Sequence, residues 1–159
     1  MSFNLPTETI ELPSKGLLYP EGHPLSNGTV EIKYMTAKEE DILTNQNYIQ
    51  NGTVLDKLLK SLIITKFNYE ELLIGDKNAI MIAARILGYG AEYKFMYNGK
   101  EEVSDLSKID NKPFDESLIT KGTNEFPFKL PSSDNDITFK FLTHGDESKI
   151  NQELEGLKK

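Results

Sequence analysis

Residues Thr29 to Met35 (TVEIKYM) alternate apolar Val30, Ile32 and Tyr34 with polar Glu31 and Lys33, the pattern of a strand with one buried face. Asn27-Gly28 just before it is a turn signal. A helix is predicted directly after. Thr36 can cap it, Glu39 stands three residues on as in a capping box, and Glu39, Glu40 and Asp41 put negative charge at the positive end of the helix dipole. Thr53 is placed to cap a second helix, in which Val54, Leu58 and Leu62 recur at helical spacing beside Leu55, Leu59 and Ile63. A third helix is expected from Gly75-Asp76, apolar nearly all round through Ala79, Ile80, Ile82, Ala83, Ile86 and Leu87, and stopped by Gly88. A helix of that kind should be central. Arg85 would snorkel or form an ion pair.

Beyond Gly90 the period becomes that of strands. Tyr93, Phe95 and Tyr97 alternate, Asn98-Gly99 is a strong hairpin turn, and Lys100 to Val103 returns. Ser104 to Thr123 reads as a connection. A second hairpin pairs Phe126, Phe128 and Leu130 with Ile137, Phe139 and Phe141 across the turn at 131–136. A last helix is expected with Asp146 as its cap and Ile150, Leu154 and Leu157 in one stripe. The chain begins differently. Pro6, Pro13, Pro20 and Pro24 with Gly16, Gly22 and Gly28 exclude a helix, so residues 1–28 read as an extended arm with turns. Its apolar side chains either pack back on the domain or dock on a partner. The predicted class is therefore α+β: an N-terminal arm, a strand, a three-helix central part, two antiparallel β-hairpins and a C-terminal helix. The domain proper spans 29–159, with hairpins in 91–142 and the helix at 146–157.

Composition narrows the function classes. With 159 residues and 38% hydrophobic, the chain can form one domain with a core. Its longest apolar run, Ala79 to Ala84, falls short of the roughly 20 residues of a bilayer span, so no membrane role is expected. The N-terminal residues show no secretory pattern, and action where the protein is made is expected. A net charge of -7 without a basic run makes nucleic acid an unfavourable partner and leaves proteins as the expected ones.

With no Cys and only His23 and His144, thiolate chemistry and Cys-ligated zinc are excluded, and no metal or cofactor is expected. Gly88-Tyr89-Gly90 closes a helix where a dinucleotide fingerprint would open one, and Ser14-Lys15-Gly16 lacks the setting of a phosphate loop. Asp134-Asn135-Asp136 reads as a turn, since the remaining ligands of a calcium loop are missing. Thr143-His144-Gly145-Asp146 joins a strand to a helix and could hold a general acid or base, or simply open the helix. From the residues alone, the chain is an α+β interaction domain without an identifiable enzyme site.

Longer stretches carry a resemblance. Residues 11–45, ELPSKGLLYPEGHPLSNGTVEIKYMTAKEEDILTN, resemble the opening of the T4-like bacteriophage baseplate hub and tail-assembly family, where an E-L-P-S-[KR]-G-x-x-Y-P arm precedes a strand and a T-x-[KR]-E-E-D-I-L helix. Residues 53–64 and 79–90 look like the helices that follow, and 137–147 (ITFKFLTHGDE) is similar to a late strand ending in Leu-Thr-x-x-[DE]. Many members carry Cys pairs of a small zinc ribbon in the segment corresponding to 91–125. Here Tyr93, Phe95, Tyr97 and Val103 stand instead, so no zinc is carried over. The resemblance implies a non-enzymatic hub subunit or assembly factor of a contractile-tailed phage. It would bind other hub or tail proteins, in the host cytoplasm during assembly or within the virion baseplate. The expected partner-binding residues are Leu12, Leu17, Leu18 and Tyr19 of the arm, then Leu142 and Ile150, acting as apolar anchors. Competing readings are a hydrolase using His144 and Asp146, and a generic acidic adaptor.

Overall fold

The computed structural model describes residues 6–157. The fold is α+β, with five α-helices and three antiparallel two-stranded sheets among the described residues. In the first sheet β1 (Thr7–Glu11) pairs with β2 (Thr29–Lys33), and Leu12 N–H continues the ladder to the Gly28 carbonyl at 2.8 Å. Alternation in β2 turns Val30 and Ile32 into the core, as predicted. Its other edge takes Ile63 in an isolated bridge, and Ile64 N–H donates to Glu31 at 2.9 Å.

Between the two strands the arm winds through tight turns, which need the left-handed backbone of Gly16 and Gly28. These two glycines also meet closely. A Cβ on Gly16 would stand 2.5 Å from the Gly28 nitrogen and 2.6 Å from the Ser26 carbonyl oxygen. Residues 1–5 of the expected arm lie outside the described residues.

Helix α1 (Ala37–Thr44) starts at the predicted Thr36–Glu39 pair, in which Thr36 N–H and hydroxyl both donate to the Glu39 carboxylate. Glu39, however, is not a surface charge serving the dipole. It is fully buried and receives Lys33 Nζ at 2.7 Å and Ser61 Oγ at 2.6 Å, which ties β2, α1 and the third helix together. A short helix α2 (Gln46–Gln50), absent from the hydrophobic pattern, follows with Asn45 accepting from Asn47 and Tyr48 N–H. Helix α3 (Val54–Leu62) buries Leu58, Leu59 and Leu62.

Helix α4 (Ile74–Tyr89) buries a single line, Asp76, Ile80 and Ala84, while Ile82 and Ile86 stay half-buried. It is thus less enclosed than its composition suggests. The stop is Gly90, at φ +80° with its N–H on the Ile86 carbonyl, rather than Gly88. The position of a Gly88 Cβ is taken by the Met35 methyl, a packing reason for that glycine.

The expected hairpins follow, β3 (Glu92–Tyr97) with β4 (Lys100–Asp105) and β5 (Phe126–Lys129) with β6 (Asp136–Phe139), joined by an irregular connection. Helix α5 (His144–Leu157) begins before Asp146. Thr143 caps it: its hydroxyl accepts from Asp146 N–H at 3.3 Å, and Asp146 accepts from Thr143 N–H at 3.1 Å. No helix of the described residues is long and apolar enough to cross a membrane.

Candidate functional site

The ELPSKGLLYP stretch is bound to its own domain at one carboxylate. Asp76, 1% exposed in the first turn of α4, accepts Ser14 N–H at 3.0 Å, Ser14 Oγ at 2.7 Å and the Tyr19 hydroxyl at 2.7 Å. The Tyr19 oxygen in turn accepts Leu73 N–H at 3.2 Å. Burial and the facing Asp76 charge push the Tyr19 phenol far up, so it stays a donor. Leu12, Leu18 and Tyr19 belong to the buried core with Leu25, Val30, Ile32 and the α3 and α4 side chains.

The structure thus places them in the core rather than on the partner-facing surface expected of them, with an edge of Leu18 left bordering an apolar groove. Leu17 is half-buried, and its carbonyl accepts Gly122 N–H at 2.7 Å. Leu142 and Ile150 are different, at 45% and 43% exposed, and remain available.

A second polar cluster roots α5. Lys77 Nζ reaches Asp56 at 2.9 Å, Glu147 at 3.2 Å and His144 Nδ1 at 3.2 Å, and the Tyr69 hydroxyl donates to Asp56 at 3.1 Å. The His144 ring lies edge-on to Tyr69, and its backbone N–H donates to Leu72 at 2.8 Å. Burial opposes the charge on Lys77, but Asp56 and Glu147 outweigh it and raise its pKa; burial likewise opposes the Asp56 charge, and Lys77 with His144 lowers its pKa. The set is an ion-paired staple between α3, α4 and α5. Asp146, held down at about 2 by Lys140 and Thr143, reaches back to the Thr143 cap at the start of the same helix. Among the described residues no group of His, Asp and Glu is arranged to hold a metal ion.

The largest unassigned feature is apolar and lies in the second half of the chain. Among the described residues every buried hydrophobic of the core falls between Leu12 and Ala84. Apart from Ile49, Leu55 and Ile64, every large exposed hydrophobic falls between Tyr89 and Leu157. In the first hairpin Tyr93, Phe95 and Tyr97 share one face, with Tyr93 and Phe95 stacked at 6.0 Å and Arg85 over Tyr89 and Tyr93. In the second, Phe126 stacks on Phe139 at 5.4 Å and meets Phe141 edge-on at 5.5 Å. An apolar groove of about 500 Å³ opens between this hairpin and the arm, lined by Leu18, Phe114, Ile119, Phe126, Phe139 and Phe141. The α5 stripe faces outward, Leu157 being 83% exposed.

The sequence pattern located both aromatic rows and the α5 stripe, and gave Ile150 of that stripe as a contact residue, but left open what covers the rows. Each row alternates as a half-buried strand does, and alternation does not tell whether a second layer exists to cover it. No protein-family model matches the chain, no curated protein matches its sequence, and no solved structure matches it.

Proposed function

We propose that this chain is a non-enzymatic protein-binding component of a contractile phage tail, either a baseplate hub subunit or an assembly factor for the hub. The observation that carries binding is the segregation of apolar side chains: every fully buried hydrophobic among the described residues lies at or before Ala84, while most aromatic and aliphatic side chains from Tyr89 onward stay exposed, Ile119 and Phe126 packing partly against the core. Exposed apolar surface on that scale is characteristic of protein contact sites. The resemblance of residues 11–45 to the baseplate family supports the tail assignment. Leu142 and Ile150 remain candidates for contact, joined by Tyr93, Phe95, Tyr97 and Leu154. Its partners would be other hub or tail proteins, met in the host cytoplasm during assembly.

The hydrolase reading would rest on His144 and Asp146. The first is engaged with Lys77 and the second with the start of α5, and no observation favours that reading further.

Quantitative mass spectrometry of finished particles against lysates stalled in tail assembly tests the proposal. A fixed, symmetric copy number in finished particles is the result for a hub subunit. Enrichment only in stalled complexes is the result for an assembly factor. A stable monomer that accompanies no tail protein in either preparation would overturn both.

A further inference from the structure

We propose that the unpaired edge of β3 is a docking site for an extended segment of a partner protein, one in which apolar side chains alternate with Lys or Arg. This rests on the protein-binding reading above and names the chemistry of the partner. In the loop that closes the hairpin, Asn98 and Gly99 both have positive φ, +49° and +77°, as in a type I′ turn. Its closing hydrogen bond joins Tyr97 and Lys100, so alternation makes Phe95 and Tyr93 the other residues bonded to β4. Glu92, Lys94 and Met96 therefore turn their backbone N–H and C=O groups away from β4. The sheet ends there, and none of these groups finds another backbone partner among the described residues. A two-stranded sheet is marginal alone, and a third strand is what stabilises it.

The edges of β5 and β1 are less suited. In β5 the Leu130–Asn135 hydrogen bond sets the alternation so that Pro127 faces outward, and proline has no N–H to give a neighbour. The free side of β1 presents Thr and Glu with no apolar row. Toward β3, a partner's apolar positions would extend the Tyr93, Phe95 and Tyr97 face, and cross-strand aromatic pairing would select them.

Charge sets the sign of the other positions. The hairpin carries Glu92, Glu101, Glu102 and Asp105 against Lys94 and Lys100, and residues 89–157 hold 14 acidic and 8 basic side chains. A basic segment is attracted, whereas a second copy of a chain with charge -7 is repelled. At the foot of β3 an apolar groove of about 390 Å³, lined by Leu55, Met81, Tyr89 and Tyr93 among others, continues the surface and can seat an end of the segment.

The test uses the full chain and a synthetic peptide of about ten residues alternating Lys with Val, beside the same peptide with Glu for Lys. Amide exchange followed by NMR should slow by about tenfold or more at Glu92, Lys94 and Met96 with the Lys peptide only. The affinity should fall as salt is raised. Lys94→Pro removes one outward N–H and none of those given to β4, so it should keep the hairpin and weaken binding about tenfold or more. If Lys94→Pro unfolds the hairpin, the wild-type exchange map still decides.

No protection of those amides, equal binding of the Glu peptide, or unchanged binding by a folded Lys94→Pro would overturn the proposal. Protection that instead rises with protein concentration in the absence of peptide would replace the partner by a second copy. Pull-down of tail proteins separates this from the broader reading. Capture undiminished in folded Lys94→Pro sinks the β3 edge alone, whereas wild-type chain that captures none sinks the tail assignment.

Discussion

The stretch from Leu12 to Ala84 and the stretch from Tyr89 to Leu157 are both rich in large apolar residues, yet the first buries or half-buries nearly all of them and the second leaves most of them in water. The difference lies in what each stretch can stack against. In the first, β2 is flanked on both edges and covered by helices, so period-two and helical faces meet. In the second, each hairpin is a sheet of two strands with no further layer, and α5 touches the rest mainly through its first turns. Apolar content thus sets how much surface seeks cover, while topology decides whether the chain itself supplies it. Stability and partner contact should therefore respond to different substitutions.

The comparison breaks most visibly at Leu18. Leu18→Asp places a carboxylate in the core and should cost more than about 4 kcal/mol, measured by urea unfolding. A wild-type midpoint would return the arm to the role of a free docking element. Asp76→Ala should cost about 2–4 kcal/mol in the same assay, since Ser14 N–H and the Tyr19 hydroxyl lose their acceptor inside the protein.

Acid sharpens the contrast next. Glu39 is held at about 2 against an ordinary 4.5, so the unfolded chain binds the proton first as pH falls. Its contribution, on the order of 3 kcal/mol, is complete above 4.5 and lost on the way down to about 2. Unfolding midpoints of wild type and Glu39→Gln should therefore converge across that window; parallel curves would mean the carboxylate is not held as described. The smallest expected effect is in the second half. Tyr93→Ser with Tyr97→Ser should shift stability by no more than about 1 kcal/mol while weakening partner capture, and calorimetry showing a larger loss would mean the hairpin is part of the core after all.

Much of this arrangement could be read from the residues. Asn98-Gly99 announced its hairpin because the required positive φ values leave few alternatives to that dipeptide. Val30 and Ile32 announced the buried face of β2, and Thr36 with Glu39 the start of α1. What stayed hidden was non-local. Glu39 looks like any first-turn acid until Lys33 and Ser61 are folded against it, and Ser14 and Tyr19 acquire their meaning only from Asp76. The stop of α4 moved from Gly88 to Gly90 because the left-handed residue is Gly90, a choice the two glycines do not announce. Helix α2 rests on Asn45 as a cap and has no apolar stripe to reveal it.

The order of these two stretches along the chain matters during synthesis. Ser14 and Tyr19 leave the ribosome long before Asp76, so the arm must wait for α4 before it can settle. Once α4 has emerged, every fully buried hydrophobic of the cluster has been made, and Ile119 and Phe126 add to it afterwards. At about 5–20 residues per second, the aromatic hairpins follow over several seconds onto a body that is already folded. The sticky surface is translated after the core, which shortens the time in which exposed apolar residues and an unfolded core coexist on one nascent chain.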